Sequence, residues 1–116
     1  MFKIPSYDKT NRASMDAADA QISTARTKNR AAFLLSGAVL AGGAFAVING
    51  VFNAEYANEV AKVAAVVPEV ACSIVGGSGV LAHLVQGIRL RNASSDLNFD
   101  IAVDDAIIER GYRTRR

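Results

Sequence analysis

The sequence has very few of the residues that build catalytic, metal or disulfide sites. It contains one histidine, one cysteine and two prolines in 116 residues. A single cysteine cannot form an intrachain disulfide, and Cys72 is expected to be a small packing residue in an apolar setting. The sequence also lacks a glycine-rich loop that joins a strand to a helix with a phosphate-binding lysine. We therefore expect a protein that is not an enzyme, with no small-molecule substrate and no required cofactor.

Net charge is also low, at +2 from 13 basic and 11 acidic residues. DNA- and RNA-binding domains usually show a basic face or a recognisable motif, and this sequence has neither. No nucleic-acid partner is expected. The basic residues instead flank two apolar runs, where they would lie beside lipid headgroups: Arg26, Lys28, Arg30, Arg89 and Arg91.

These apolar runs are the main feature of the sequence. Residues 31–52 contain no charge, and residues 63–88 contain one charged side chain, Glu69, and one histidine, His83. About 20 apolar residues in a helix cross about 30 Å of hydrocarbon. We predict an all-α protein: a two-span transmembrane helical hairpin with a helical N-terminal extension and a short amphipathic C-terminal helix. Its segments are a partly helical N-terminal cytoplasmic segment (1–30), transmembrane helix 1 (31–54), a short external loop (55–62), transmembrane helix 2 (63–88) and a charged cytoplasmic tail (89–116).

The first run also resembles a secretory signal, as in conjugative pilin precursors. Lys28 to Arg30 would be the basic region, and Ala44-Phe45-Ala46 would be a small-x-small cleavage site. The apolar run, however, continues past that site to Phe52. We therefore favour a retained span over a cleaved one.

Local patterns predict where the helices begin and end. A weak apolar face within residues 12–30 recurs at spacings of three and four, and comprises Met15, Ala18, Ile22 and Ala25. The second helix is predicted from about Asn58 to about Asn92, with a kink at Pro68. In the tail, Asp100 suits an N-cap and Gly111 suits the position after a helix, although the alternation over residues 97–103 also permits a strand.

The distribution of lysine and arginine predicts the orientation. Six basic residues precede the first span, six follow the second, and the loop side has only Lys62. Basic residues in short segments mark the cytoplasmic side of a membrane. Both termini are therefore predicted to be cytoplasmic.

Small residues recur four positions apart within the spans. Such residues let helix backbones approach closely, which favours helix association in a bilayer. Their number suggests packing against other membrane subunits or further copies of the chain, as well as between the two spans. The predicted packing residues are Gly37, Ala38, Gly42, Ala46, Gly50, Ser73, Gly76, Gly77 and Gly79.

Three polar residues within or beside the spans are candidates for function: Asn49, Glu69 and His83. A membrane-embedded carboxylate or imidazole normally faces protein or water, and Glu69 is either a hydrated interfacial residue or a proton or ion site. His83 is a candidate haem or pigment ligand, against the simpler role of a hydrogen-bonding residue. Asn49 suits a hydrogen bond to a neighbouring helix. The tail carboxylates are expected to form a solvated face: Asp96, Asp100, Asp104 and Asp105.

The leading functional hypothesis is a structural or accessory subunit of a larger membrane assembly, such as a membrane complex, a secretion machine or a lipid-containing virion. The first alternative is an oligomeric pore-former. The two-span pattern and the basic end Arg113-Thr114-Arg115-Arg116 resemble phage holins. The second alternative is a pigment or haem carrier through His83, and a cleaved pilin-like subunit is a further one.

Overall fold

The computed structural model describes residues 2–111, which form two long α-helices joined by a short connection. Helix α1 spans Arg12–Phe52 and helix α2 spans Glu59–Glu109. The described range contains no strand, which confirms the all-helical prediction. The strand alternative for residues 97–103 is wrong, because they lie inside α2. The basic end at residues 113–116 lies outside the described residues.

Both helices begin where an asparagine side chain caps them. The Asn11 side-chain oxygen accepts a hydrogen bond from the Ser14 amide at 3.3 Å, and that of Asn58 accepts one from the Ala61 amide at 2.8 Å. Such a cap provides an acceptor for an amide of the first turn that has no partner within the helix. The predicted start of the second helix near Asn58 is confirmed, and residues 12–30, where the sequence predicts a helical face, all lie in α1.

The C-terminal part of α2 differs from the prediction. The sequence pattern predicts a separate short helix capped by Asp100, but α2 continues without a break to Glu109. Between Gly87 and Gly111 the sequence contains neither glycine nor proline, the two residue types that most strongly disfavour a helix interior. The helix ends at Glu109, and Gly111 lies just after it, as predicted, with a φ of 78° that suits a residue without a side chain.

The contacts of the chain fall into two units. We call residues 2–29 with 85–111 the terminal unit, and residues 30–84 the central unit. In the terminal unit, α1 and α2 pack through a small apolar core, which includes the predicted face of α1: Met15, Ala18, Ile22, Ala25, Leu90 and Leu97. The alternating spacings of three and four on α1 are those of a helix pair packed as in a coiled coil.

An N-terminal arm, residues 2–10, covers this core. Phe2, Ile4 and Tyr7 are partly buried against it. The arm is anchored at both ends, since Arg89 donates a hydrogen bond to the carbonyl oxygen of Phe2 at 3.4 Å and Tyr7 donates one to Asp100 at 2.5 Å. The arm is therefore non-helical, but it packs in a defined position.

In the central unit, the two helices run antiparallel. Successive close approaches pair Ser36 with Gly79, Leu40 with Gly76, and Gly43 with Ser73, so the residue number rises along α1 as it falls along α2. The outward faces of both helices carry large exposed apolar side chains, including Leu34, Phe45, Val75 and Leu81. Both helices are long and apolar enough to cross a membrane.

Candidate functional site

Glycines on both helices allow the closest contact in the central unit. A methyl group added at Gly76 would lie 2.8 Å from the Leu40 Cα atom, and one at Gly43 would lie 3.0 Å from the Ser73 amide nitrogen. Both distances are to backbone atoms, which cannot rotate away as a side chain can. The helix backbones therefore meet at Gly76 and Gly43, and a larger residue at either position requires the helices to separate.

The predicted packing residues fall into three groups. Gly50, Ser73, Gly76 and Gly79 lie at the contact, and Gly77 lies in ordinary van der Waals range of Leu40. Ala46 is half-buried. Gly37 and Gly42 have no atom within 4 Å of an added methyl group, and Ala38 is exposed. These last three remain candidates for packing against further subunits.

Sequence reasoning missed Gly43, which is buried. On α1 the prediction followed a spacing of four from Ala38 to Gly50, whereas the observed contacts are spaced by four, three and seven positions, at Ser36, Leu40, Gly43 and Gly50. A pair of helices that wind around each other with a left-handed twist repeats every 3.5 residues on average, so a strict spacing of four drifts off the contact face. Alternating spacing would have added Gly43 to the candidates on one face of α1, and the register between the two helices determines that this face is the contact.

Glu69 lies beside the glycine contact, near the loop end of the central unit. A methyl group added at Gly50 would lie 3.2 Å from Glu69 Oε2 and 3.1 Å from the Tyr56 hydroxyl oxygen. The absence of a side chain at Gly50 therefore leaves room for both polar groups. Glu69 Oε2 is buried and has no hydrogen-bond partner among the described residues. Glu69 thus packs against protein.

The other two polar candidates are Asn49 and His83. Asn49 is exposed near the end of α1, where its side-chain oxygen accepts a hydrogen bond from Asn53 at 3.4 Å. His83 is half-buried on α2. Within residues 2–111, no group of three or more His, Cys, Asp or Glu residues is placed to hold a metal ion. A role for His83 as a haem or pigment ligand stays a prediction.

The flanking basic residues lie at one end of the terminal unit, except Arg30, which begins the central unit. Arg26 approaches Ser94 Oγ at 3.5 Å, and Arg89 donates to Gln86 Oε1 at 3.1 Å. Lys28 and Arg91 are exposed. An open cavity of about 370 Å³ adjoins Lys28 and is lined by Phe2, Ala20, Gln21, Thr24, Ala25 and Lys28.

The other end of the terminal unit carries a network of ion pairs around Arg12. Its guanidinium lies 2.6 Å from Asp105, 3.1 Å from Asp16 and 3.7 Å from Asp104, which is only 3% exposed. The pKa of Arg12 is raised, first by the hydrogen bond to Asp105 and then by that to Asp16. Arg12 therefore joins the start of α1 to the end of α2.

The predicted solvated face of tail carboxylates is only partly correct. Asp96 is exposed, but Asp104 is buried and Asp100 is half-buried, where it binds Tyr7 and lies 3.7 Å from Lys9 Nζ. These two carboxylates hold the N-terminal segment. The near-helical spacing of the acids gave no sign of this, because their partners lie about 90 residues away in the sequence.

Alkaline pH should release the N-terminal arm. The pKa of Tyr7 is raised from 10.0 to about 12, mainly because its hydroxyl proton is hydrogen-bonded to Asp100, with further contributions from burial and the nearby negative charges of Asp100 and Asp96. Since the protonated form is favoured when the arm is bound, this contribution is complete below pH 10 and is lost as the pH rises towards 12. In an alkaline titration followed by tyrosinate absorbance, one tyrosine should therefore ionise at a higher pH than an ordinary tyrosine does.

The matched control is Tyr7→Phe, which keeps the ring and removes the hydroxyl. The difference between the two titration curves isolates Tyr7 from the other two tyrosines. A Tyr7 contribution centred at the ordinary value of about 10 would contradict the hydrogen bond to Asp100.

Comparisons with known proteins match the chain to no family model, no curated protein and no solved structure. The geometry of the two units therefore carries the functional proposal.

Proposed function

We propose that this chain is a two-span integral membrane protein with both termini in the cytoplasm, and that it is a non-enzymatic structural or accessory subunit of a larger membrane assembly. The observation that carries the proposal is the unburied apolar surface. In the most apolar 18-residue window of each helix, only 6% of the residues are buried. Soluble monomers rarely expose contiguous apolar patches of more than a few hundred Å².

The backbone of the central unit suits a bilayer. A spanning segment must satisfy its own backbone hydrogen bonds, which a continuous helix does. Helix α1 has no charged residue between Arg30 and Phe52, and the contact between the helices is made by small residues such as Gly43 and Gly76. This is the composition that favours helix association in lipid, where burial of apolar surface gives little driving force.

The terminal unit supports a shared location for the two termini. Segments from both ends of the chain form one core, closed by the contact between Arg12 and Asp105. Two segments that pack together must lie on the same side of a membrane. The excess of lysine and arginine in these segments favours the cytoplasmic side.

The single native cysteine provides a test of insertion. Cys72 is exposed on α2. In intact membranes a charged maleimide should fail to label it, because a charged reagent does not enter hydrocarbon. Detergent should restore labelling. Equal labelling of Cys72 before and after detergent would contradict insertion.

Two controls in a Cys72→Ala background report the orientation. Ser95→Cys lies on the exposed surface of the terminal unit, and Ala57→Cys lies in the exposed connection between the helices. In vesicles with the cytoplasmic face outward, the reagent should label the cysteine at position 95 and spare the one at position 57. The opposite pattern would reverse the proposed orientation.

The structural role is tested by native mass spectrometry of the protein extracted gently from its own membrane. A hetero-complex of defined stoichiometry is the expected result. A homo-oligomer alone would replace this proposal with the pore-former, which must also depolarise cells on induced expression. A bound haem or pigment mass that disappears in His83→Ala would favour the carrier.

A further inference from the structure

We propose that the basic end of the terminal unit is a binding site for the headgroup of an anionic phospholipid, a property that rests on the proposed membrane location. The basic end is defined by Lys3, Arg26, Lys28, Arg89 and Arg91. The first observation is the separation of charge within this unit. Residues 2–4, 20–29 and 85–92 contain these five basic side chains and no acidic one.

The opposite end of the same unit has the reverse charge. Residues 7–19 and 96–109 contain eight acidic side chains and two basic ones, Lys9 and Arg12. An extended polyanion such as a nucleic acid would be repelled by this acidic half. A ligand with one compact negative charge needs only the basic end, so the charge distribution favours a lipid headgroup.

Contacts within the unit bring the basic end together. Arg89 on α2 donates a hydrogen bond to the carbonyl oxygen of Phe2, and an atom added at Gly87 would lie 3.2 Å from Asn29 on α1. The arm, α1 and α2 therefore all contribute basic residues to this end. Clusters of four to eight lysines and arginines beside a membrane span are typical of anionic-lipid binding.

The cavity beside Lys28 matches the amphipathic character of a phospholipid. Its volume of about 370 Å³ lies within the range of small-molecule pockets, roughly 300–1,000 Å³. Phe2 and Ala25 supply apolar surface, Gln21 and Thr24 supply hydrogen-bonding groups, and Lys28 supplies a positive charge. The ammonium group can bind the phosphate while the glycerol and the first methylene groups lie against Phe2.

The test is native mass spectrometry of the full chain in a mild detergent, with short-chain phosphatidylglycerol or phosphatidylcholine added. We expect tighter binding of phosphatidylglycerol. The double variant Lys28→Gln/Arg91→Gln should weaken that binding roughly ten- to thirtyfold, since each basic residue near a membrane contributes about 1 kcal/mol. Both side chains are exposed, so the substitutions leave the core intact.

The matched control removes two positive charges from the opposite end, in Lys9→Gln/Arg110→Gln. This variant has the same net charge and should bind phosphatidylglycerol like the unaltered chain. Equal losses in both variants would overturn the proposal, because they would reflect net charge alone. Equal binding of the two lipids would also overturn it, as would displacement of the lipid by inorganic phosphate or a short oligonucleotide at similar concentration.

The labelling of Cys72 separates this inference from the proposed function. If Cys72 is protected in membranes while the two lipids bind equally, only the lipid site is wrong. If Cys72 is labelled without detergent, the membrane location itself is wrong.

Discussion

Gly76→Leu is expected to separate the two helices of the central unit. The leucine Cβ atom alone would lie 2.8 Å from the Leu40 Cα atom, and the rest of the side chain has no space in the contact. Overpacking that forces the backbone to move typically costs about 1–3 kcal/mol and occasionally more. In lipid, the separated helices would also lose the dispersion contacts that hold them together.

An engineered disulfide can measure this separation. The Cβ atom built at Gly79 lies 3.0 Å from the Cβ atom of Ser36, close to the roughly 3.5–4.5 Å of a disulfide. In a Cys72→Ala background, Ser36→Cys/Gly79→Cys should therefore cross-link rapidly on mild oxidation. Adding Gly76→Leu should abolish the cross-link.

Gly42→Leu is the matched control for this substitution. Gly42 lies on α1 with no atom within 4 Å of an added methyl group, so a leucine there meets open space within the chain. The cross-link should form as rapidly as without it. Loss of cross-linking in both variants would show that added bulk, rather than the contact at Gly76, prevents it. If Gly42→Leu instead dissociates a purified complex while the cross-link persists, Gly42 contacts another subunit.

Leu97→Ala should have the largest effect on the terminal unit. Leu97 is 0% exposed and is one of two buried leucines that α2 contributes to a core of six residues. Truncation of a buried leucine to alanine costs about 2–5 kcal/mol, through lost burial and the cavity left behind. So small a core has few other contacts to compensate. Hydrogen exchange of amides in residues 12–25 of the detergent-solubilised chain should accelerate about thirtyfold or more.

Phe99→Ala provides the control two residues further along α2. Phe99 is 69% exposed, and substitutions at exposed positions usually change stability by no more than about 0.5 kcal/mol. Exchange in residues 12–25 should therefore stay close to that of the unaltered chain. If Leu97→Ala and Phe99→Ala accelerate exchange equally, Leu97 is not part of the core.

The parts of the fold that depend on local sequence were predictable. Asn11 and Asn58 start the helices through hydrogen bonds within three residues, and Gly111 ends α2 through its own backbone conformation. The buried face from Met15 to Ala25 follows from spacing along a single helix. Each of these features is determined by residues that are close together in the sequence.

The features that were missed depend on contacts between distant residues. The tail remains helical through Glu109, and its carboxylates pair with Tyr7 and Arg12. The near-helical spacing of the tail carboxylates places Asp104 on one helix face with other acidic residues. It does not show that Arg12 lies opposite that face. Gly43 was missed for a similar reason, because the register between two helices determines which small residue lies at their contact.

The joining of the two chain ends has a consequence for biosynthesis. Arg12 meets Asp105 across 93 positions of sequence, so the terminal unit cannot close until nearly all of the described chain has been translated. Until then the apolar face of Met15 and Ile22 has no partner from α2. A prematurely terminated product that lacks Leu97 would keep this face uncovered and would be open to chaperones and proteases. Closure of the terminal unit thus distinguishes a chain that extends through Asp105 from one that stops before Leu97.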